Sequence, residues 1–145
     1  MRFKLCILLA LLFISCQNLN GEYMSPEINE FPVIEGNNLN KQKKVVPDDF
    51  VDKNLIVIVA FQQWHQPLVD ESILLLENNG LGETHNIIEV PTIQKTSKLA
   101  EIYLDGVMRA GIRDDRIRNR TITAYIDKEQ FKLDLEIPDE DTISV

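Results

Sequence analysis

Apolar residues in this chain fall into two kinds of run. From Asn54 to Phe61, "NLIVIVAF", every residue after the first is apolar, most are β-branched, and there is no alternation. A strand of that kind is covered on both faces, as in a parallel sheet. "HNIIEVPTI" (85–93) and "TITAYID" (121–127) predict two more strands. Elsewhere apolar residues recur three and four apart, the helical spacing. Val69, Ile73 and Leu76 share one face of a helix that begins near Pro67, carries Asp70 and Glu71 near its positive end and stops at Asn78-Asn79-Gly80. Ser97 to Asp105 predicts a short helix with Leu99, Ile102 and Tyr103 facing inward, and Asp127 caps a last helix with Gln130 at its third position and Phe131 and Leu135 inside. Ahead of these, "FPVIEGNNLNKQKKVV" (31–46) places β-prone runs on either side of a Gly-Asn-Asn segment and predicts a hairpin, after which Pro47-Asp48-Asp49 turns the chain into the main strand. Strand and helix alternating three times predict an α/β sandwich with parallel strands.

The start of the chain is patterned differently. "MRFKLCILLALLFISC" sets Arg2 and Lys4 before an apolar run from Leu5 to Ile14. That run is short of the roughly 20 apolar residues that span a bilayer and has the form of a secretory signal core. Phe13-Ile14-Ser15-Cys16 is similar to a bacterial lipobox, whose cysteine is acylated and becomes the new N-terminus. An ordinary cleaved signal with a cysteine at its end is the alternative, and either one takes the protein out of the cytoplasm. The expected organisation is a signal over 1–15, a polar tether over 16–30 containing Gly21 and Pro26, and one domain over 31–145. The expected location is the bacterial cell envelope, lipid-anchored on the periplasmic or outer side, with the membrane as partner through the acyl chains of Cys16.

Composition narrows the chemistry. At 145 residues, 44% hydrophobic and 26% charged, the chain holds one small globular domain. Its two cysteines are Cys6, inside the signal, and Cys16, the lipidation site, so the domain has no thiolate for exchange or peroxidase chemistry. Removing the signal takes away Arg2 and Lys4 and no acid, so a formal charge of −8 becomes −10. That acidity argues against nucleic acid and against electrostatic docking on anionic headgroups, and leaves anchoring to acyl chains.

"AFQQWHQPLVD", "EVPTI", "DGVMRAGI" and "RTITAYIDKEQFKLDLEIPDEDTISV", in this order and behind an N-terminal hairpin, resemble the peroxiredoxin-like branch of the thioredoxin superfamily. The wording is closer to a poorly characterised bacterial group distantly similar to the assembly factors of mitochondrial ATP synthase. The resemblance spans roughly residues 31–145, and the chain departs from the group's two-glycine loop at Gly106-Val107. It implies a thioredoxin-like α/β sandwich. Trp64, His65, Pro67 and Leu68 then occupy the degenerate active-site positions, His65 standing at the attacking cysteine and Leu68 at the resolving one. "VPT" at 90–92 belongs by order to the second strand, and the cis-proline position falls near Asp141-Thr142, where no proline occurs. The family pattern continues past "PDEDT" as a strand, a turn, a second strand and a helix. The resemblance therefore implies a central sheet incomplete at the C-terminus, its next strand entering beside residues 54–61.

Four features carry possible chemistry. His65 stands at a strand-to-helix junction as a general base, a ligand or a packed residue; no second histidine or cysteine lies near it in sequence, and no metal or cofactor is implied. Trp64 is a contact beside a groove or a cap on the strand end. Five arginines between 109 and 120 form a basic island in which Arg109 and Arg113 could clamp an anion, or a solvated loop with internal ion pairs. Asp139, Glu140 and Asp141 read as a helix-to-strand turn. Two functions fit: a redox-inactive interaction or assembly module, or a non-thiol enzyme or small-ligand binder with its site at Trp64, His65 and Arg109.

Overall fold

The computed structural model describes residues 30–145; the predicted signal, Cys16 and nearly all of the tether lie outside the described residues. The chain forms a mixed α/β domain. Five strands, β1 (Ile34–Asn38), β2 (Lys43–Val46), β3 (Asn54–Ala60), β4 (His85–Gln94) and β5 (Ile122–Ile126), lie in the order β2-β1-β5-β4-β3. β3, β4 and β5 run parallel, while β1 pairs antiparallel with both β2 and β5. The helices are α1 (Gln66–Asn78), α2 (Leu81–Thr84), α3 (Lys98–Gly111), α4 (Asp115–Arg120) and α5 (Lys128–Asp134).

The unbroken apolar run of β3 serves both sheet faces. Ile56, Ile58 and Ala60 pack with Val69 and Ile73 of α1, whereas Val57, Val59 and Phe61 join Ile88, Val90, Ile122, Ala124 and Phe131 of α5 on the other side. α1 starts with Pro67 in its first turn and ends before Gly80, whose φ of +79° belongs to the left-handed region that glycine adopts without strain. Asp127 caps α5 by accepting from the backbone N–H groups of Glu129 and Gln130.

Three expectations are corrected. The hairpin does not turn at Gly-Asn-Asn, which lies inside β1; it turns over Leu39–Gln42. Asn38 Oδ1 accepts from the N–H groups of Asn40 and Gln42, and Lys41 takes a φ of +66°. Gly36 is needed for close approach instead, since a Cβ there would lie 2.5 Å from the Thr123 carbonyl oxygen and 2.8 Å from Ile122 Cγ2. Secondly, residues 109–120 are not a loop: α3 runs on to Gly111, and Asp114 caps α4.

The third correction concerns which way α3 faces. Leu99, Ile102 and Tyr103 point outward, and the inner face carries Glu101, Asp105 and Arg109. Polar partners on the sheet explain this. The Tyr125 hydroxyl of β5 lies 2.8 Å from Asp105 Oδ1 and 3.0 Å from the Glu101 carbonyl, and Arg109 donates to the Leu39 carbonyl in the hairpin turn. Burial first, and then the hydrogen bond to Asp105, push the Tyr125 phenol well above its ordinary value, so it remains a donor.

At the C-terminal end, Val59 and Ser144 exchange backbone hydrogen bonds of 2.8 and 3.1 Å, an antiparallel bridge on the outer side of β3. The segment before it is clamped by Glu140, which accepts from Lys128, Lys132 and Gln62.

Candidate functional site

A cavity of about 530 Å³ opens between α3 and the sheet face that carries α1, at the C-terminal ends of parallel strands β3 and β4. Open α/β sheets place ligands at those strand ends, and the volume falls within the usual range for small-molecule sites. Leu104, Met108 and Ile112 give it an apolar wall, and Gln62, Gln63 and Gln66 line its polar side. These glutamines are where they are because the chain leaves β3 at Phe61 and enters α1 at Gln66 through a single 3-10 turn.

One acid faces this space. Glu89, in the middle of β4, is 2% exposed, with Oε1 2.6 Å from Thr121 Oγ1. Thr121 Oγ1 is also 2.7 Å from the Ile117 carbonyl. The single hydroxyl proton of Thr121 is shared between Glu89 Oε1 and the Ile117 carbonyl, so the carboxyl receives only part of a hydrogen bond there. Burial is the first cause that pushes Glu89 above the ordinary carboxylate value, opposed by hydrogen bonds from Thr121 and Gln66 and by the charge of Arg120. The Gln66 contact, at 3.4 Å to Oε2, is long, and Arg120 is committed to Glu77 at 2.8 Å. Glu89 Oε2 thus keeps acceptor capacity.

Pro91 interrupts the ladder beside this acid. It lies within β4 opposite Ala60 and lines the cavity. Between the Glu89–Thr121 bridge and the Thr92–Ala124 pair it has no N–H to give β5.

The residues singled out from the sequence are not brought together. Trp64 is 59% exposed, and its ring meets His65 edge-on at 4.2 Å. His65 is completely buried, with neither ring nitrogen hydrogen-bonded. Pro67 occupies the first turn of α1, and Leu68 is partly exposed. None of the four lines the cavity; the glutamines interleaved with them do. Arg109 faces the hairpin and lines a second cavity with Lys41 and Lys98. Arg113 is exposed. Arg118 donates to the carbonyls of Ile112 and Arg109, and Arg116 pairs with Asp114, so much of the basic island is spent on internal contacts. Glu89 escaped the sequence reading although its signal was there: a carboxylate between Ile88 and Val90 in an apolar strand must be neutralised or paired.

Among the described residues no group of three or more His, Cys, Asp or Glu side chains could hold a metal ion. The fold and cavity define a mixed α/β domain in which a buried acid in mid-β4, Glu89, faces a cavity at the strand ends. No family model, curated protein or solved structure matches the chain.

Proposed function

We propose that this is a redox-inactive, thioredoxin-like domain of the peroxiredoxin-like branch, borne by an envelope lipoprotein anchored through Cys16, and that it binds a small, mostly apolar ligand carrying a hydroxyl or other neutral donor. The sheet order supports the fold: three parallel strands, an N-terminal hairpin joined antiparallel to β5, and C-terminal residues antiparallel to β3. The absence of cysteine beyond Cys16 supports the lack of thiol chemistry. The observation that carries the binding role is the cavity with buried Glu89 against it, a carboxyl that burial raises above its ordinary value. A ligand hydroxyl would donate to Glu89 Oε2 while its chain lies along Leu104, Met108 and Ile112. A carboxylate ligand would bring only acceptors to that oxygen.

The test is thermal unfolding with 1-decanol and with decanoate. Decanol at a hundred times its Kd should add about 2.7 kcal/mol, decanoate should add less, and Met108→Trp should abolish the shift by filling the cavity. A wild-type midpoint that neither compound moves refutes the ligand class. The exposed side of α3 favours a second reading, an interaction module that uses that surface.

A further inference from the structure

The part of the sheet that lies between α3 and the hairpin is polar. Thr123 of β5 stands opposite Asn37 of β1, which stands opposite Lys43 of β2. Opposed residues share a face and side chains alternate along a strand, so Glu35 and Tyr125 belong to the same row. Ile122 and Ala124 point the other way, into the core. The contacts of the Tyr125 hydroxyl with Asp105 and the Glu101 carbonyl set α3 over this row. A groove of about 290 Å³ remains there, with Lys98 and Glu101 on its helix side. A cavity of about 450 Å³ shares Asn37 and Lys98 with it and extends it along α3.

The charges in the groove are mostly matched. Glu35 holds Lys43 at 2.7 Å on the hairpin side, and Glu101 holds Lys98 at 3.1 Å on the helix side. Both pairs engage Oε2, so Oε1 of each carboxylate keeps its acceptor capacity. Among the described residues, Lys95 alone of the lining charges has no ion pair, and it is exposed, where salt screens it. One polar group is unmatched. Thr123, between the two pairs, is 1% exposed, and its Oγ1 has no hydrogen-bond partner. A hydroxyl buried without a partner is costly, and a ligand that bonds it recovers the loss.

We propose that this groove binds a neutral sugar, a hexose-sized polyol whose hydroxyls engage the Lys43–Glu35 and Lys98–Glu101 pairs on opposite walls and Thr123 Oγ1 on the floor. The paired charges select this class. A hydroxyl both donates and accepts, so neighbouring hydroxyls of one ring give a proton to a carboxylate oxygen and accept one from its lysine. Such a ligand joins each pair and leaves no charge unbalanced. An anion would compete with Glu35 and Glu101 for their lysines, and a cation would compete with the lysines for their acids. An apolar ligand would strip water from these charges and return no hydrogen bond. The groove shares no lining residue with the cavity above Glu89, and the inference does not rest on that reading.

The test is amide NMR on the isotope-labelled full chain, titrated with D-glucose and D-galactose, and with glucuronate and glucosamine as anionic and cationic forms of one ring. Shifts that saturate with at least one hexose and centre on Asn37, Thr123 and Tyr125 are expected, with that hexose bound at least about threefold tighter than either charged form. Thr123→Val removes the hydroxyl and keeps the side-chain shape. It should weaken the hexose at least about fivefold with the fold intact, because no partner within the protein is lost. Glu35→Leu/Lys43→Met, at two exposed positions, should weaken it at least as much, its folding checked by circular dichroism. Unchanged affinity in Thr123→Val overturns the proposal. Tighter binding of glucuronate assigns the groove to an anion and tighter binding of glucosamine to a cation, and either overturns it too. So do shifts that stay linear with both hexoses, and shifts that centre on Leu104, Met108 and Ile112, which would place the sugar in the cavity above Glu89.

Discussion

Glu89→Gln should make this protein more stable at neutral pH, which is unusual for removal of a buried, hydrogen-bonded carboxyl. The amide reproduces the protonated acid: its NH₂ donates to Thr121 Oγ1, leaving that hydroxyl free to donate to Ile117, and its oxygen keeps the acceptor role toward Gln66. What it removes is the proton equilibrium. A carboxyl raised above its ordinary value of 4.5 by burial binds its proton more tightly folded than unfolded. Its contribution to stability is complete below 4.5 and is lost as pH rises toward and through the folded value. Each unit of elevation corresponds to about 1.4 kcal/mol at neutral pH. The opposing interactions are the long Gln66 contact, a Thr121 proton shared with Ile117 and an Arg120 already paired with Glu77. Urea unfolding of both proteins from pH 4 to 8, at constant m-value, reads the difference, in which the other carboxylates cancel. The curves should meet at the acid end and separate with increasing pH, the variant ahead by about 1 kcal/mol or more at pH 7.5. A variant less stable at every pH would refute the reasoning, because it would mean that the ionised carboxylate is the form the fold favours.

Gly36→Ala should cost about 1–3 kcal/mol or more, since its Cβ meets the backbone of Thr123 rather than a side chain able to move; a urea midpoint within error of wild type would show that β1 can retreat from β5. His65→Leu should cost nothing and can gain about 1–3 kcal/mol, because both ring nitrogens are buried without partners; a loss above about 1 kcal/mol in the same measurement would reveal a partner for the imidazole. Glu140→Gln should speed amide exchange at Val59 and Ser144 by loosening the clamp to Lys128, Lys132 and Gln62. Lys128 first, and Lys132 with it, hold the Glu140 carboxyl below its ordinary value. The difference between Glu140→Gln and wild type should therefore be present above 4.5 and vanish as pH falls through the lowered folded value, and exchange rates identical in the two proteins at neutral pH would remove the clamp from the account.

The strands and the first helix were legible because each is specified locally. β3 shows its two covered faces in an unbroken apolar run, and α1 carries its own start and stop in Pro67 and Gly80. The failures share a different cause. Helical spacing tells which residues of α3 stand together, not which side meets the sheet, and that was decided by Tyr125 and by the Leu39 carbonyl, partners remote in sequence. Gly36 read as a turn residue because glycine favours turns, whereas its role is set by β5, which packs against it from far along the chain.

The candidate site follows the same division. Trp64, His65, Pro67 and Leu68 drew attention as a motif, yet the motif belongs to the strand-to-helix junction, and junction geometry alone sends His65 inward and Trp64 outward. Glu89 needed a different question: which residue contradicts its surroundings. A carboxyl inside "IIEVP" cannot remain ionised and unpaired without a large penalty, so either a cation or a proton must accompany it. Arg120 is turned to Glu77, and burial raises the Glu89 carboxyl above its ordinary value, which favours the proton. An acid whose neutral form is favoured by burial in the middle of β4, beside an apolar cavity, recognises a neutral polar group more readily than an ion. That preference separates binding of an uncharged amphiphile from the anion clamp suggested by the arginines. It does so through Glu89, not through Arg109, whose guanidinium helps hold α3 to the hairpin turn.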